Sequence, residues 1–362
     1  MNAMTRWMSV VLSAVLSLAC SSSSDTPPAA PAFAQADLTD DWDALQLTTN
    51  DSPRWGHTHL SVAADGRATL VSMLQNDGPV TLPPTFDMKL SVSSSGTVTS
   101  SGADGGASFR GSMSSSKALV FATSTEDDGS TDLFVIRKRV PGVTFSAADV
   151  ASVAFAYHAI SSGSAWRWEY GDGATDASGA LTIGHTWQAA GPVTPPPAGF
   201  ATLSIDAAGL VEFAGAPGVM RGVMAADKKS LFLLNTPTPG TPPEVQLIVV
   251  LLTRTGFTAA SLEGRYGFHL VESGSSSATS GWSRGAFAVN AQGVVSFSSY
   301  ASSAGSTTLP SPFTLAIDAG GSITRADDAS FRGHMAWNGD FYVRTGNATA
   351  DPANGFLAIG AK

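Results

Sequence analysis

One short string recurs three times along this chain and constrains its fold more than any other feature. It reads SFRGSM at 108–113, VMRGVM at 219–224 and SFRGHM at 330–335. The copies keep an arginine in step every 111 residues, at Arg110, Arg221 and Arg332. Self-similarity at a fixed period is the signature of a repeat architecture, so the repeats govern the predicted fold.

A tryptophan in each repeat is followed 11 residues later by a glycine within a short polar stretch. Such glycines between alternating segments are typical of hairpin turns. The tryptophans are Trp55, Trp168 and Trp282. We interpret 36–145, 146–257 and 258–362 as three β repeats and expect no further domain to house a catalytic centre.

Each repeat contains about eight strand candidates separated by turns of Gly, Asp and Ser. Short turns between consecutive strands favour an antiparallel meander, and closing a meander into a barrel removes its exposed edges. We therefore predict an all-β protein of three barrels; the alternative is a six-bladed propeller with two blades per repeat. In the first repeat the candidates centre on 42–49, 55–63, 67–74, 86–93, 97–101, 108–113, 118–123 and 132–139.

The two ends of each repeat resemble the pattern of lipocalin-like (calycin) barrels. Gly264 and Tyr266 form a glycine-x-aromatic string at the start of the third repeat, and Trp42 and Phe155 supply the aromatic residue in the others. In that family a cation on the last strand lies against the aromatic ring and closes one end of the barrel. The resemblance implies barrel closure and leaves the ligand open. The corresponding cations here are Arg139, Arg254 and Lys362.

The N-terminus has the features of an export signal. A basic region ends at Arg6, and an apolar run of 13 residues follows, from 7 to 19. A membrane-spanning helix needs about 20 residues, so this run has the proportions of a signal's apolar core. The string SLAC ends at Cys20, the only cysteine, and resembles the lipobox of bacterial lipoproteins. The resemblance implies a signal peptide at 1–19 and lipidation of Cys20.

Residues 20–35 are rich in Ser, Pro and Ala, and we interpret them as a tether. The alternative is cleavage after Ala34, in the string AFA. The repeat, with its D-L…W opening and K-R closing, also resembles uncharacterised repeat-containing bacterial lipoproteins, which implies location and architecture only. We expect an exported protein of the bacterial cell envelope, attached to the outer membrane by its lipid.

The net charge of −9 argues against nucleic acid or an anionic membrane surface as partner. The expected partners are the membrane, through the lipid anchor, and an envelope or matrix protein. We predict a non-enzymatic protein with a binding, adhesion or scaffolding role. The alternative is a carrier of a small apolar ligand inside its barrels.

His158 and His269 both lie three residues after the opening aromatic residue of their repeats, where the first repeat has Leu45. A position that accepts leucine is expected to face inward. We therefore predict that both histidines are lumenal, with a structural role or, alternatively, as ligand contacts.

Two other motifs are weaker. Ser283 lies in the string GWSRG, which matches a nucleophile elbow, but that motif needs a strand-to-helix turn and this context predicts a strand. A serine hydrolase is thus a remote alternative. His57 and His59 share one face of a predicted strand, and two ligands do not define a metal site. We predict no metal and no cofactor.

The repeated string itself alternates in character. Phe109, Gly111 and Met113 share one face, so Arg110 and its counterparts face away from the core. We predict that these arginines act between repeats or at strand ends, because arginine is well suited to interface pairing.

Overall fold

The structure is a computed structural model, and it describes residues 32–49, 53–106, 108–162, 168–215, 218–236, 244–273, 280–347 and 354–362. The predicted signal peptide, Cys20 and most of the predicted tether lie outside the described residues. Within these ranges, no helix has the length and apolar character needed to span a membrane.

Three antiparallel sheets, one per repeat, account for nearly all regular structure in the described ranges. The first contains β1 (Asp40–Thr49), β2 (Arg54–Val62), β3 (Arg67–Gln75), β4 (Gly78–Pro79), β5 (Met88–Val92), β6 (Thr97–Ser101), β7 (Arg110–Met113), β8 (Leu119–Thr125) and β9 (Thr131–Lys138). The second contains β10 (Ala154–Ser162), β11 (Trp168–Thr175), β12 (Leu181–Gln188), β13 (Gly191–Val193), β14 (Thr202–Ile205), β15 (Leu210–Ala214), β16 (Val219–Met224), β17 (Ser230–Thr236) and β18 (Val245–Leu252). The third contains β19 (Gly264–Ser273), β20 (Gly281–Val289), β21 (Val294–Ser302), β22 (Phe313–Ile317), β23 (Ser322–Arg325), β24 (Asp328–Met335), β25 (Phe341–Asn347) and β26 (Gly355–Ala361).

The first and third sheets close into barrels, whereas the second sheet is not closed by a strand pairing. We call the three units barrels 1, 2 and 3. In barrel 1, pairing of β2 with β3 closes the sheet. In barrel 3, the strands β19 to β26 form a closed barrel. Barrel 2 is joined at the corresponding place by one bridge, Ala180 to Thr202. All eight strand candidates of the first repeat form strands. The prediction of antiparallel barrels in tandem is confirmed, with two closed barrels and one unit joined by a single bridge. The propeller alternative is wrong because each repeat forms one sheet rather than two blades.

The turn glycines that follow the tryptophans adopt a backbone conformation that other residues rarely adopt. Gly66, Gly179 and Gly293 have φ values of +89°, +81° and +78°. A Cβ atom at Gly66 would also lie 2.2 Å from the backbone oxygen of Leu90. Glycine is therefore required there both for its torsion angle and for the close approach of the next hairpin.

A short helical turn precedes each barrel, at Gln35–Leu38, Ala147–Asp149 and Ala259–Leu262. Its third residue, Asp37, Asp149 or Ser261, accepts a hydrogen bond from the backbone N–H three residues earlier, at 2.8, 2.9 and 3.1 Å. Satisfying an unpaired N–H at a helix start is what such side chains do. This explains the small or acidic residue at the opening of every repeat.

A phenylalanine before each turn packs against the barrel that follows. Phe33 is buried, and a Cβ atom at Gly96 would lie 2.7 Å from its ring. Phe145 and Phe257 have the same relation to Gly209 and Gly321. Since Phe33 lies within the predicted tether at 20–35, the folded part begins before residue 36.

The barrels surround a shared apolar core that is separate from the three lumens. At its centre one phenylalanine from each repeat, Phe121, Phe232 and Phe341, meets the other two with ring centroids 5.2 to 6.1 Å apart. Aromatic pairs at such separations are favourable beyond their burial. These three rings therefore join the repeats at one place in the shared core.

The three marker tryptophans link the barrels in a ring. Each indole Nε1 donates a 2.7 Å hydrogen bond to the next barrel, at the last residue of β17, β25 or β8. The acceptors are Thr236 for Trp55, Asn347 for Trp168 and Thr125 for Trp282. The repeated tryptophan is therefore an inter-barrel contact.

The cations expected from the calycin pattern are placed differently in each barrel. Lys362 lies over the ring of Tyr266, at 5.9 Å. In barrel 1 it is Lys138 that lies over Trp42, at 5.6 Å, whereas Arg139 binds the carboxylate of Asp43. Arg254 lies over Phe257, at 4.1 Å.

Candidate functional site

Barrel 2 contains a cavity of about 380 Å³, to which every strand of the barrel contributes. This volume is within the range of small-molecule sites, about 300–1,000 Å³. Most of its lining is apolar, with Phe155, Leu203, Leu231 and Leu252 as examples. The cavity therefore suits an apolar molecule.

Barrel 3 is filled by aromatic rings at positions where barrel 2 has smaller side chains. At matching places in the repeats, Gly173 pairs with Ile183 across β11 and β12, whereas Phe287 pairs with Phe297 across β20 and β21. The two phenylalanine rings lie 5.5 Å apart in the core of barrel 3. Barrel 2 lacks this pair of rings, and Ile183 lines its cavity.

Two glycines of β11 let the rings of β10 lie close to the barrel wall. A Cβ atom at Gly173 would be 2.7 Å from the ring of Phe155, and one at Gly171 would be 2.6 Å from the ring of Tyr157. Glycine in a strand often marks such a close approach. The aromatic rings of β10 thus occupy space that larger residues of β11 would take.

A group of polar side chains lies at one end of the cavity. Tyr157 donates a hydrogen bond of 2.8 Å to Oε1 of Glu169, and Gln188 donates one of 2.7 Å to Oε2. Thr186 contacts the same Tyr157 hydroxyl at 2.9 Å. Burial raises the pKa of Glu169 because its charged form loses solvation, and a cation bound beside it would offset that loss.

Asn235 and Gln246 belong to the same end, because Gln246 pairs with Ser161 of β10, two residues beyond the partner of Glu169. The Asn235 amide donates to Gln246 at 2.8 Å. The Asn235 Oδ1 atom is buried and has no hydrogen-bond partner among the described residues. Asn235 also lines the cavity, so this oxygen is an acceptor whose hydrogen bond the described residues leave unmade.

The cavity reaches the surface beside β13. Val193, Thr194 and Pro196 line it and are also exposed to solvent. The opposite, apolar end is closed by Val150, which follows the helical turn Ala147–Asp149 and is buried. A molecule can therefore enter from the side of the barrel and lie along its axis.

The predicted lumenal position of His158 and His269 is wrong, because both side chains lie between barrels. Nδ1 of His158 is 2.9 Å from Thr345, and its Nε2 is 2.8 Å from His334 of barrel 3. Alternation along β10 sends Phe155 and Tyr157 into the lumen and His158 outward. Burial lowers the pKa of His158 well below its ordinary value, so its neutral form is favoured.

His269 makes the equivalent contact between barrels 3 and 1. Its Nε2 is 3.1 Å from Ser112, and its Nδ1 is 3.2 Å from Thr123. Burial, and to a lesser degree the charge of Arg284, lowers the pKa of His269 to about 3. Neither histidine is among the residues that line the cavity.

The marker arginines have different surroundings. Nε of Arg332 donates to the hydroxyl of Tyr170 in barrel 2 at 3.2 Å, which is a contact between repeats. Arg110 is exposed, and its charge contributes, after burial, to lowering the pKa of Arg284 in barrel 3 to about 10. Arg221 is half-buried on β16.

The motifs considered for catalysis or metal binding lie within strands. Ser283 is on β20, in contact with the hydroxyl of Tyr300 at 2.9 Å, and the next element is β21 rather than a helix. His57 lies 3.2 Å from Asp43, and His59 lies 3.8 Å from Asp41.

Sequence reasoning missed the residues of the cavity. The signal that could have found them is a difference in residue size at matching positions of the repeats: the second repeat has Gly173 where the third has Phe287. That signal becomes readable only when the register across β11 and β12 is known.

No known family model matches the chain, and no curated protein matches it. Solved structures that resemble it include transferrin binding protein B of Haemophilus parasuis, a Trp-176-Ala mutant (12% identity over 89% of this chain and 75% of that chain; TM-score 0.29). Another is isotype 1 transferrin binding protein B of serogroup B Neisseria meningitidis (11% identity, 85% and 63%, TM-score 0.27). A third is a Nostoc punctiforme protein of unknown function from the DUF3598 family (9% identity, 60% and 96%, TM-score 0.23). TM-scores this low carry no argument about fold or function.

Proposed function

We propose that the chain is a lipid-anchored, non-enzymatic protein of a bacterial cell envelope that binds a small apolar molecule in barrel 2. The observation that carries this proposal is the cavity of about 380 Å³, apolar along its length and polar at one end. A concave apolar site with a few convergent polar groups is the usual form of a small-molecule site. The lumens of barrels 1 and 3 have a structural role in this proposal.

Binding is tested with N-phenyl-1-naphthylamine, a neutral apolar dye that fluoresces in apolar surroundings. We expect saturable binding of one dye per chain. Ile183→Phe introduces the ring that barrel 3 carries at this position, so it should weaken binding by about tenfold or more. Leu70→Phe makes a similar change at the matching position of barrel 1 and should leave binding intact. Dye binding that is absent, or equally weakened by both variants, would contradict the proposal.

Anchoring through Cys20 is supported by the packing of Phe33. Cleavage after Ala34 would remove this ring, whose counterparts Phe145 and Phe257 each pack against a turn glycine in the following barrel. Processing at Cys20 keeps it. Two or more acyl chains on one residue would suffice for stable membrane anchoring, and we propose that the membrane is the outer membrane.

The anchor is tested by Cys20→Ala in cells. We expect the variant to leave the membrane fraction, whereas the unchanged chain sediments with membranes. A membrane-bound Cys20→Ala variant would refute lipid anchoring at this residue.

The adhesion or scaffolding role, with an envelope or matrix protein as partner, is a second candidate. It is favoured by an aromatic strip on the outer face of barrel 2. The rings of Tyr170 and Trp187 stack 5.0 Å apart, and His185 continues the strip 5.5 Å from Trp187. Half-exposed aromatic side chains of this kind are enriched in protein interfaces. This role stays a prediction.

A further inference from the structure

From the polar end of the barrel 2 cavity, we infer that its ligand carries a hydrogen-bond donor, as an alkyl amine or alcohol does, and that fatty acids are disfavoured. The inference rests on the proposed binding function and specifies the chemical class of the ligand. It is carried by three observations: the acceptors at this end, the charges that line the cavity, and the position of the apolar end.

The polar end offers acceptors that the protein itself leaves available. Oδ1 of Asn235 is buried without a partner among the described residues. The carboxyl group of Glu169 receives one hydrogen bond on each oxygen, from Tyr157 and Gln188, and a carboxylate oxygen accepts more than one. A ligand that donates hydrogen bonds would satisfy these atoms, whereas a ligand with only acceptors would leave them unpaired.

The charges that line the cavity disfavour an anion. Among the described lining residues there is no lysine, arginine or histidine, and the only ionisable carboxyl group is that of Glu169. Glu244 lies nearby and accepts a hydrogen bond of 2.9 Å from Gln246. A bound carboxylate would therefore be desolvated without a counter-charge and would lie beside an acidic group, which is unfavourable.

The apolar end places the rest of the ligand. Phe155 and Leu252 pair across β10 and β18, at the end of the barrel away from Glu169. A linear alkyl chain attached to the donor group can extend toward them and exclude water from this end.

The test uses three ligands with the same twelve-carbon chain and different head groups: dodecylamine, dodecanol and dodecanoate. Each displaces N-phenyl-1-naphthylamine from the full chain at neutral pH, below its micelle concentration. We expect the amine and the alcohol to bind at least about tenfold more tightly than dodecanoate. Glu169→Gln should reduce the preference for the amine over the alcohol by about tenfold, because a neutral amide no longer attracts the ammonium group. Glu212→Gln, a change at an exposed residue on β15 of the same barrel, should leave the affinities for the amine and for the alcohol unchanged.

A second variant guards against misfolding of Glu169→Gln. Asn235→Leu removes the unpaired acceptor and should weaken dodecanol binding several-fold while the dye still binds. Dodecanoate that binds as tightly as dodecylamine would overturn the inference and leave the proposed cavity function standing. Failure of the dye and of all three ligands to bind would instead overturn the proposed function itself.

Discussion

At the scale of single residues, two buried aspartates of barrel 1 show how neighbours set the charge of a carboxyl group. Burial alone would raise the pKa of Asp43, but hydrogen bonds from His57 and Arg139 and the charge of Arg137 hold it far below its ordinary value. For Asp132, burial and the negative charge of Glu126 raise the pKa to about 6. Both side chains are almost fully inaccessible to solvent, so the difference comes from their partners.

Asp132 provides a prediction about pH. A carboxyl group whose pKa is raised in the folded state binds its proton more tightly there, so stability falls as the pH rises from about 4 to about 6. Asp132→Asn removes this effect. We expect the free energy of unfolding of the variant, relative to the unchanged chain, to increase by on the order of 2 kcal/mol between pH 4 and pH 7.

Urea unfolding at several pH values measures this difference. The matched control is Asp77→Asn, because Asp77 is exposed and its replacement should give a nearly constant difference. A difference for Asp132→Asn that does not grow with pH would show that ionisation of Asp132 costs the folded state nothing.

At the scale of elements, strands that are buried on both faces explain why the predicted lumenal position of His158 and His269 is wrong. All residues of β17 and β26 are buried, and β18 has one half-buried residue. Such strands face a lumen on one side and the shared core on the other. Period-two alternation separates the two faces but does not tell which is lumenal. His158 shares its face with Ile160, and that face belongs to the shared core.

At the scale of the whole molecule, the three barrel interfaces use the same positions with different chemistry. Between barrels 3 and 1 the contact consists of His269, Thr123 and Ser112. At the matching positions between barrels 1 and 2 are Leu45, Leu234 and Val223, all buried in the shared core. The polar and apolar sets are thus alternative solutions to one packing problem.

This exchange predicts that one interface can be rebuilt with the side chains of another. The triple variant His269→Leu, Thr123→Leu, Ser112→Val should fold and should lose less stability in acid. Because the folded-state pKa of His269 is about 3, its contribution is present above the ordinary histidine pKa and is lost as the pH falls from about 6.5. Each pH unit in that range costs about 1.4 kcal/mol.

The measurement is the free energy of unfolding at pH 7 and pH 5. The loss between these values should be smaller in the triple variant by about 2 kcal/mol. Ser112→Val alone retains His269 and should keep the acid sensitivity of the unchanged chain. Equal acid sensitivity in the triple variant would rule out His269 as a source.

The sequence alone determined the number of repeats, the eight strands of the first repeat and the antiparallel barrel in each. These features depend on local alternation and on turn glycines such as Gly66, which act within a few residues. Only the tertiary structure decided that His158 and His269 lie between barrels, that Trp55 and its counterparts form a ring, and that barrel 2 contains a cavity. The physical reason is that burial against another barrel and burial in a lumen leave the same apolar pattern, and that the width of a lumen depends on pairs such as Gly173 and Ile183, which meet only across strands.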